Sequence, residues 1–128
     1  MNAEVLKQSL AGSLAGTDSF PEVVATLVAQ GCEWYYADLV RLEKTFYAPD
    51  GENHVLAMDL PVPPIAAAFD QAEVLAAIRA SQHDNQPYPN FLRRVMRAGT
   101  TSYSVYLAGQ RAIYFGRKGE FHVEEFPR

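Results

Sequence analysis

Apolar residues along this chain follow two rhythms, one helical and one alternating, and the two succeed each other in the same order twice. Over residues 3–14, Val5, Leu6, Leu10 and Leu14 fall near helical spacing, with Gly12 and Gly16 weakening the end. Phe20, Val23, Val24, Leu27 and Val28 then recur at i, i+3, i+4, i+7 and i+8, which predicts a helix with one apolar face. Ser19-Phe20-Pro21-Glu22 reads as its capping box, because a Ser hydroxyl can accept from an early backbone N–H while the Glu reaches back. Pro21 in the first turn loses no intrahelical bond, and Gly31 supplies a left-handed stop. Strand-forming residues follow: Trp34, Tyr35, Tyr36, Leu39 and Val40 predict a strand at about 33–40, with others at about 43–48 and 53–58. Pro49-Asp50-Gly51 marks a tight turn, and the short links predict antiparallel pairing.

The second half repeats this order. Residues 70–82 are alanine-rich and predict a helix, and Asp84-Asn85-Gln86-Pro87 predicts a loop. Tyr88, Phe91, Leu92, Val95 and Met96 copy the earlier apolar stripe, with Pro89 at the start and Gly99 at the end. Tyr103, Val105 and Leu107 alternate along about 102–108. Ala108-Gly109-Gln110-Arg111 predicts a two-residue hairpin turn with Gly109 at its first central position. Residues 111–116 return, Arg117-Lys118-Gly119 turns again, and 120–126 form the last strand.

The two halves align without a gap: residues 20–58 match 88–126, as in Gly31 with Gly99 (99 − 31 = 68). Tyr35 falls on Tyr103, Leu39 on Leu107, and Gly51-Glu52-Asn53-His54-Val55 on Gly119-Glu120-Phe121-His122-Val123. Ala3-Glu4-Val5-Leu6 returns as Ala72-Glu73-Val74-Leu75 after a one-residue slip. The pattern predicts an internal duplication of a helix-helix-strand-strand-strand unit over about 3–58 and 72–126. Pro61, Pro63 and Pro64 make residues 60–65 an extended bridge between the units. The expected fold is α+β: one domain with antiparallel strands in one sheet or two, helices packed on one side, and pseudo-two-fold symmetry. At 128 residues the halves are too small to stand alone, so a shared core is expected.

Composition narrows the functional classes. Apolar residues make up 48% of the chain, too many for disorder. Cys32 is the only cysteine, so no internal disulfide can form, which fits a reducing, cytoplasmic setting. No signal peptide or membrane span is apparent. The net charge of −4 divides unevenly, with three basic and nine acidic side chains in residues 1–64 against eight and six in 65–128. Electrostatic attraction between the halves is the expected reading; an anion-binding surface around Arg93, Arg94, Arg97, Arg111, Arg117 and Lys118 is the other. The overall acidity disfavours nucleic-acid binding, which needs phosphate neutralisation.

The stretch Phe20-Pro21-Glu22-Val23-Val24, Asp38-Leu39-Val40, Thr45-Phe46-Tyr47 and Pro49-Asp50-Gly51-Glu52 resembles the YbcV-like family of bacterial domains of unknown function. So does the ending Ala98-Gly99-Thr100, Tyr103-Ser104-Val105-Tyr106-Leu107 and Tyr114 through Glu124. That family carries the label of prophage-derived or phage envelope protein. The resemblance covers most of residues 20–126 and implies a compact bacterial domain; it assigns no catalytic or binding residue.

Three groups of residues are candidates for chemistry. His54 and His122, with Glu52 and Glu120, occupy equivalent places; across a two-fold axis they could bind a metal or an anion or move protons. Strand histidines with ordinary hydrogen bonds are the plainer reading. Aromatic residues form the second group, mostly expected under the helices. Tyr36 and Tyr106 alternate away from the Tyr35/Leu39 and Tyr103/Leu107 rows and, with Arg111, are the ligand-binding candidates. Arg93, Arg94 and Arg97 form the third, on the polar face of their helix. Phosphate-loop, dinucleotide and nucleophile-elbow patterns are absent, as is any local metal motif, so no cofactor and no metal are expected. The sequence thus predicts a non-catalytic binding or interaction module with a cleft between its repeats, taking a small ligand or a protein partner. The alternative is a small enzyme using the two histidines with Glu52 and Glu120. Sheet edges also permit a homodimer.

Overall fold

The computed structural model describes residues 1–127. Four helices and six strands follow in the order α1 (Ala3–Leu14), α2 (Phe20–Ala29), β1 (Trp34–Asp38), β2 (Glu43–Tyr47), β3 (Asn53–Ala57), α3 (Gln71–His83), α4 (Tyr88–Arg97), β4 (Thr100–Tyr106), β5 (Arg111–Gly116) and β6 (Phe121–Glu125). The fold is α+β, with all six strands in a single antiparallel sheet of order β3-β2-β1-β4-β5-β6. Each run of three strands is a meander, and the meanders meet along β1 and β4.

Local chemistry explains the element boundaries. The capping box of α2 forms as its sequence dictates: Ser19 Oγ accepts from Glu22 N at 3.3 Å, and Glu22 Oε1 accepts from Ser19 N at 3.2 Å. β1 ends at Asp38, two residues sooner than the run of aromatic and apolar residues to Val40 predicts. The Asp38 carboxylate accepts from Val40 N and Arg41 N, both at 3.0 Å, and turns the chain. The β4–β5 turn also differs from expectation. Tyr106 pairs with Arg111, leaving a four-residue loop, and the left-handed residue is Gln110 (φ 54°), not Gly109. The β1–β2 loop has the same length between Asp38 and Glu43, with Leu42 (φ 55°) in the equivalent place. Four-residue loops built on a helical-type turn put their left-handed residue last, so the glycine is not needed where a two-residue turn would want it.

One face of the sheet is buried against the helices. It presents Tyr35, Ala37, Lys44, Phe46, Tyr103, Val105, Ala112 and Tyr114, all under one tenth exposed. Leu6, Leu10, Leu27, Val74, Leu92 and Val95 close the core from the helical side. α1 contributes Ser9 and Ser13 to its buried side along with Leu6 and Leu10; Ser13 Oγ donates to Ser9 O at 3.2 Å, which satisfies the hydroxyl inside the helix. The other face of the sheet has no helix on it.

The proline-rich bridge forms neither helix nor strand, and it and the residues after it are strapped to the second half. Ala66 N donates to Met96 O at 3.0 Å, and Asp70 N to Ala98 O at 2.8 Å. Arg93 Nε donates to Pro61 O, and Arg117 donates to Ile65 O and Ala66 O. These bonds revise the electrostatic expectation. Among the described residues every ion pair lies within one half, as in Met1–Glu52 and Arg79–Glu124. Arginines of the basic half bind carbonyls of the bridge instead, because guanidinium donors satisfy main-chain acceptors close at hand.

Candidate functional site

The open face of the sheet carries a continuous cross-strand row. From edge to edge it reads Asn53, Tyr47, Trp34, Tyr106, Arg111 and Glu125, each the direct partner of the next. Strand alternation puts these side chains on one face, and the register aligns them. Trp34 lies at its centre, stacked on Tyr47 at 4.2 Å with a 10° interplanar angle and on Tyr106 at 5.6 Å with 16°. Because the rings stack on one another across the strands, they stand on edge and form a rigid ridge. Tyr36 lies on the same face one step along β1, opposite Thr45 and Ser104.

At the end of this ridge is a shallow recess of about 470 Å³, lined by Glu33, Trp34, Tyr106, Ala108, Gly109, Arg111 and Ile113. Its walls come from both halves: Glu33 and Trp34 from the first, the rest from β4, β5 and their loop. Leu107 N donates to Glu33 O at 3.0 Å, which ties the loop to the start of β1. Tyr106 and Arg111, two of the three ligand-binding candidates, are therefore in one recess, and Tyr36 is beside it. Arg111 is about half exposed and pairs only loosely with Glu125, at 3.5 Å, so its guanidinium remains open to a ligand. Trp34 and Glu33 complete the recess; the cross-strand pairing that would have flagged them appears only once the register is known.

The two histidines are not brought together. His54 is on β3 and His122 on β6, the opposite edges of the sheet. Five strand spacings separate them, roughly 24 Å. Each half ends its meander at the outside and joins its neighbour through its first strand, so equivalent late positions diverge. Glu52 accepts from the Met1 ammonium at 2.8 Å and lies 3.0 Å from His54 Nε2. Those contacts hold its carboxyl below the usual range, the ammonium contributing most. Glu120 is elsewhere, accepting from Lys118 N at 2.8 Å in the β5–β6 turn. His122 Nδ1 accepts from the Gln71 amide at 3.1 Å, while its Nε2 is buried without a partner, 3.9 Å from Glu124. Glu124 is held by Arg79 at 3.0 Å. Among the described residues no three His, Cys, Asp or Glu side chains cluster as a metal site.

One buried ionisable group escaped the sequence reading. Lys44 is 3% exposed on the core face of β2, with its ammonium nitrogen 4.2 Å from the centroid of the Tyr88 ring and 5.0 Å from that of Tyr35. Burial pushes its pKa down to about 7. The two rings act the other way, since their negative faces favour the ammonium form. Tyr88 and Tyr103 share a hydroxyl–hydroxyl hydrogen bond, and burial raises the pKa of Tyr35, Tyr88 and Tyr103 well above the usual phenol value. Lys44 alternates in step with Phe46, which was the available signal that it points inward. Among the aromatic candidates, Tyr35, Phe46, Tyr103 and Tyr114 are core residues, whereas Trp34, Tyr36, Tyr47 and Tyr106 occupy the open face. Arg93 and Arg94 are half-buried and bound to Pro61 O and Gln86 Oε1, and Arg97 is exposed. Cys32 is buried, donates to Trp34 O at 3.4 Å, and has its thiol pKa raised by burial.

No known family model matches the chain. It is similar to uncharacterized proteins of Mycobacterium tuberculosis and Mycobacterium bovis, 28% identical over 114 residues that make up 85% of this chain and 67% of each relative. No helix among the described residues is long and apolar enough to cross a membrane.

Proposed function

We propose that this protein is a non-catalytic binding module whose site is the recess at the junction of its halves. The observation that supports this most directly is the convergence of Trp34, Tyr106 and a loosely paired Arg111 in one hollow built from both halves. The ligand is a small ring-bearing molecule: the ring meets the aromatic ridge and Ile113, and polar groups meet the Arg111 donors and the Glu33 acceptors. The separation of His54 from His122 weighs against a shared acid–base or metal centre. The lone cysteine, with its thiol buried, accords with a cytoplasmic setting.

The binding site so read belongs to an internally duplicated domain with pseudo-two-fold symmetry. Support comes from the strand order, which runs outward alike from β1 and β4, and from the matching four-residue loops with left-handed Leu42 and Gln110. On this reading β1 and β4 straddle the axis, and a central recess is where duplicated halves can build a site that neither has alone.

Trp34 is the only tryptophan, so its emission reports directly on the recess. A panel of nucleosides, aromatic amino acids and hydroxybenzoates is titrated while Trp34 emission and Tm are followed. A binding member quenches Trp34 and raises Tm by mass action, and Tyr106→Ala and Arg111→Ala each remove both effects. Binding that survives both substitutions moves the site elsewhere, and chemical conversion of the bound compound replaces the binding reading with an enzymatic one.

A further inference from the structure

Helix α2 is apolar almost all round, yet it lies on the surface. Of Phe20–Ala29, Glu22 is the only ionisable residue, and its carboxylate is turned back to Ser19 in the capping box. Leu27 is the only fully buried side chain of the helix, while Phe20 is 42% exposed and Val28 54%. A helix that is apolar on every side is ordinarily covered. Beside it is a second recess of about 350 Å³, lined by Val24, Val28, Cys32, Leu107, Ala108, Gln110 and Phe126. Phe126 closes this hollow against the start of α2, its ring 5.2 Å from that of Phe20 and perpendicular to it. A ridge (Phe20, Val28) thus adjoins a hollow of the same apolar character.

We propose that this ridge and hollow form an isologous homodimer contact, α2 of one copy packing on the α2 side of the other. Two features select a second copy as the occupant. The first is charge. The chain carries a net charge of −4, so two copies repel except where the surface is charge-free. In a two-fold contact each patch meets its own duplicate, and the patch must tolerate that. Among the described residues the α2 surface does, since Glu22, the only ionisable residue of the helix, is bonded back to Ser19. The open sheet face does not, because it bears the carboxylates of Asp38, Glu43 and Glu125 together with the guanidinium groups of Arg111 and of Arg41, which pairs with Glu43. Charge depletion with aromatic and aliphatic enrichment is also what the centre of a protein interface shows. The second feature is shape. A small apolar ligand would fill the hollow and leave the convex ridge in water, whereas an identical surface brings a ridge for the hollow and a hollow for the ridge. The patch is small, so the contact is weak and reversible.

Sedimentation equilibrium on the full chain between about 10 µM and about 1 mM tests this, the range in which small contacts associate. The wild type should pass from monomer to dimer across that range. Val28→Glu and, separately, Phe20→Ser should remain monomeric throughout with the far-UV spectrum of the wild type. Val28→Glu should also keep the dilute-solution Tm, because Val28 is exposed in the monomer, whereas Phe20→Ser loses its contact with Phe126 and should lower it modestly. Val40→Glu, 68% exposed in the β1–β2 loop, should dimerise like the wild type. A wild type that stays monomeric at the top concentration overturns the proposal, and so does a dimer that survives both α2 substitutions. Monomers that instead bind neutral phosphatidylcholine vesicles through Val28 overturn it in favour of a lipid surface.

Discussion

Helices α2 and α4 are written in nearly the same local code and have opposite environments. Both start on an aromatic–proline pair, run for ten residues, and are followed by a glycine of positive φ, Gly31 at 81° and Gly99 at 91°. Yet α4 buries Phe91, Leu92, Val95 and Met96, whereas α2 buries only Leu27. The cause lies outside the helices. α4 is wedged among α1, α3 and β4, and the proline-rich strap crosses its C-terminal end. α2 has α1 as its main helical neighbour, and no strap reaches it. Periodicity therefore determines that a helix forms and which face is apolar; what covers that face is decided by distant chain.

The two terminating glycines should separate these environments most sharply. A Cβ on Gly99 would lie 2.1 Å from Ala68 O in the strap, while one on Gly31 would meet nothing within 4 Å. Gly31→Ala should cost about 1–3 kcal/mol, the usual strain of a left-handed alanine. Gly99→Ala should cost distinctly more or leave no folded protein, because the backbone of the strap must move as well. Urea denaturation of the pair gives the comparison, and equal midpoint shifts would show that the strap yields freely.

The next contrast is between equivalent stripe positions. Leu92→Ala should destabilise by about 2–5 kcal/mol, the range for a buried leucine. Its counterpart in the stripe, half-exposed Val24, should cost under about 1 kcal/mol when truncated, since it loses only part of its burial. Leu27→Ala and Val95→Ala should instead behave alike, because both side chains are fully buried. A large effect at Val24 would mean that α2 is covered even in dilute monomer.

Lys44 gives a contrast in pH dependence with Ala112, which holds the matching inward position on β5. Burial puts the folded pKa near 7 against an ordinary 10.5. Between those values the unfolded chain binds more protons than the folded one, so stability should rise as pH increases from about 7 toward 10.5. The slope is at most about 1.4 kcal/mol per pH unit, and it is reduced by the Tyr35 and Tyr88 rings. Below pH 7 both states are protonated and the cost of the buried charge is at its full value. Chemical denaturation at pH 7, 7.5 and 8 reads the slope before the Cys32 thiol and the phenols titrate in the unfolded state. Lys44→Met should raise stability at pH 7 and flatten the profile; an unchanged slope would show that the ammonium reaches water.

A modest effect is expected at the helix starts. α2 has a complete capping box, while Pro87 gives α4 no side-chain cap. Ser19→Ala should therefore cost about 1 kcal/mol. A loss much below that would mean that the first turn of α2 is frayed already.

Much of this architecture was legible because it depends on neighbours in sequence. Phe20 through Val28, the capping box at Ser19 and the glycines at 31 and 99 each combine a spacing with a backbone requirement, and the elements appear where those say. Pro61 through Ile65 form neither helix nor strand, and the bonds of Pro61 to Arg93 and of Ile65 to Arg117 depend on tertiary placement. Tyr106 and Arg111 could be chosen by alternation and charge, whereas Glu33 and Trp34 joined them only through pairing across the central strands. His54 and His122 show the converse: equivalence in sequence says nothing of distance in a sheet whose halves join through their first strands. Lys44 was readable from its step with Phe46, but its charge argued against burial, and only the tyrosine cage makes that position tenable.

The seam between β1 and β4 also bears on how the chain assembles. Every other strand pairing joins consecutive strands, so each meander can zip locally; only Trp34–Tyr106 and its neighbours must find each other across the length of the bridge and two helices. Closing that one large loop is thus the expected kinetic bottleneck. Severing the chain among Pro61–Pro64 would remove the loop without touching a strand, and it would leave the Ala66–Asp70 bonds in the second piece. Two such fragments, each with half a core and one naked sheet edge, should be poorly ordered apart and should restore each other's structure when mixed, as a split protein does.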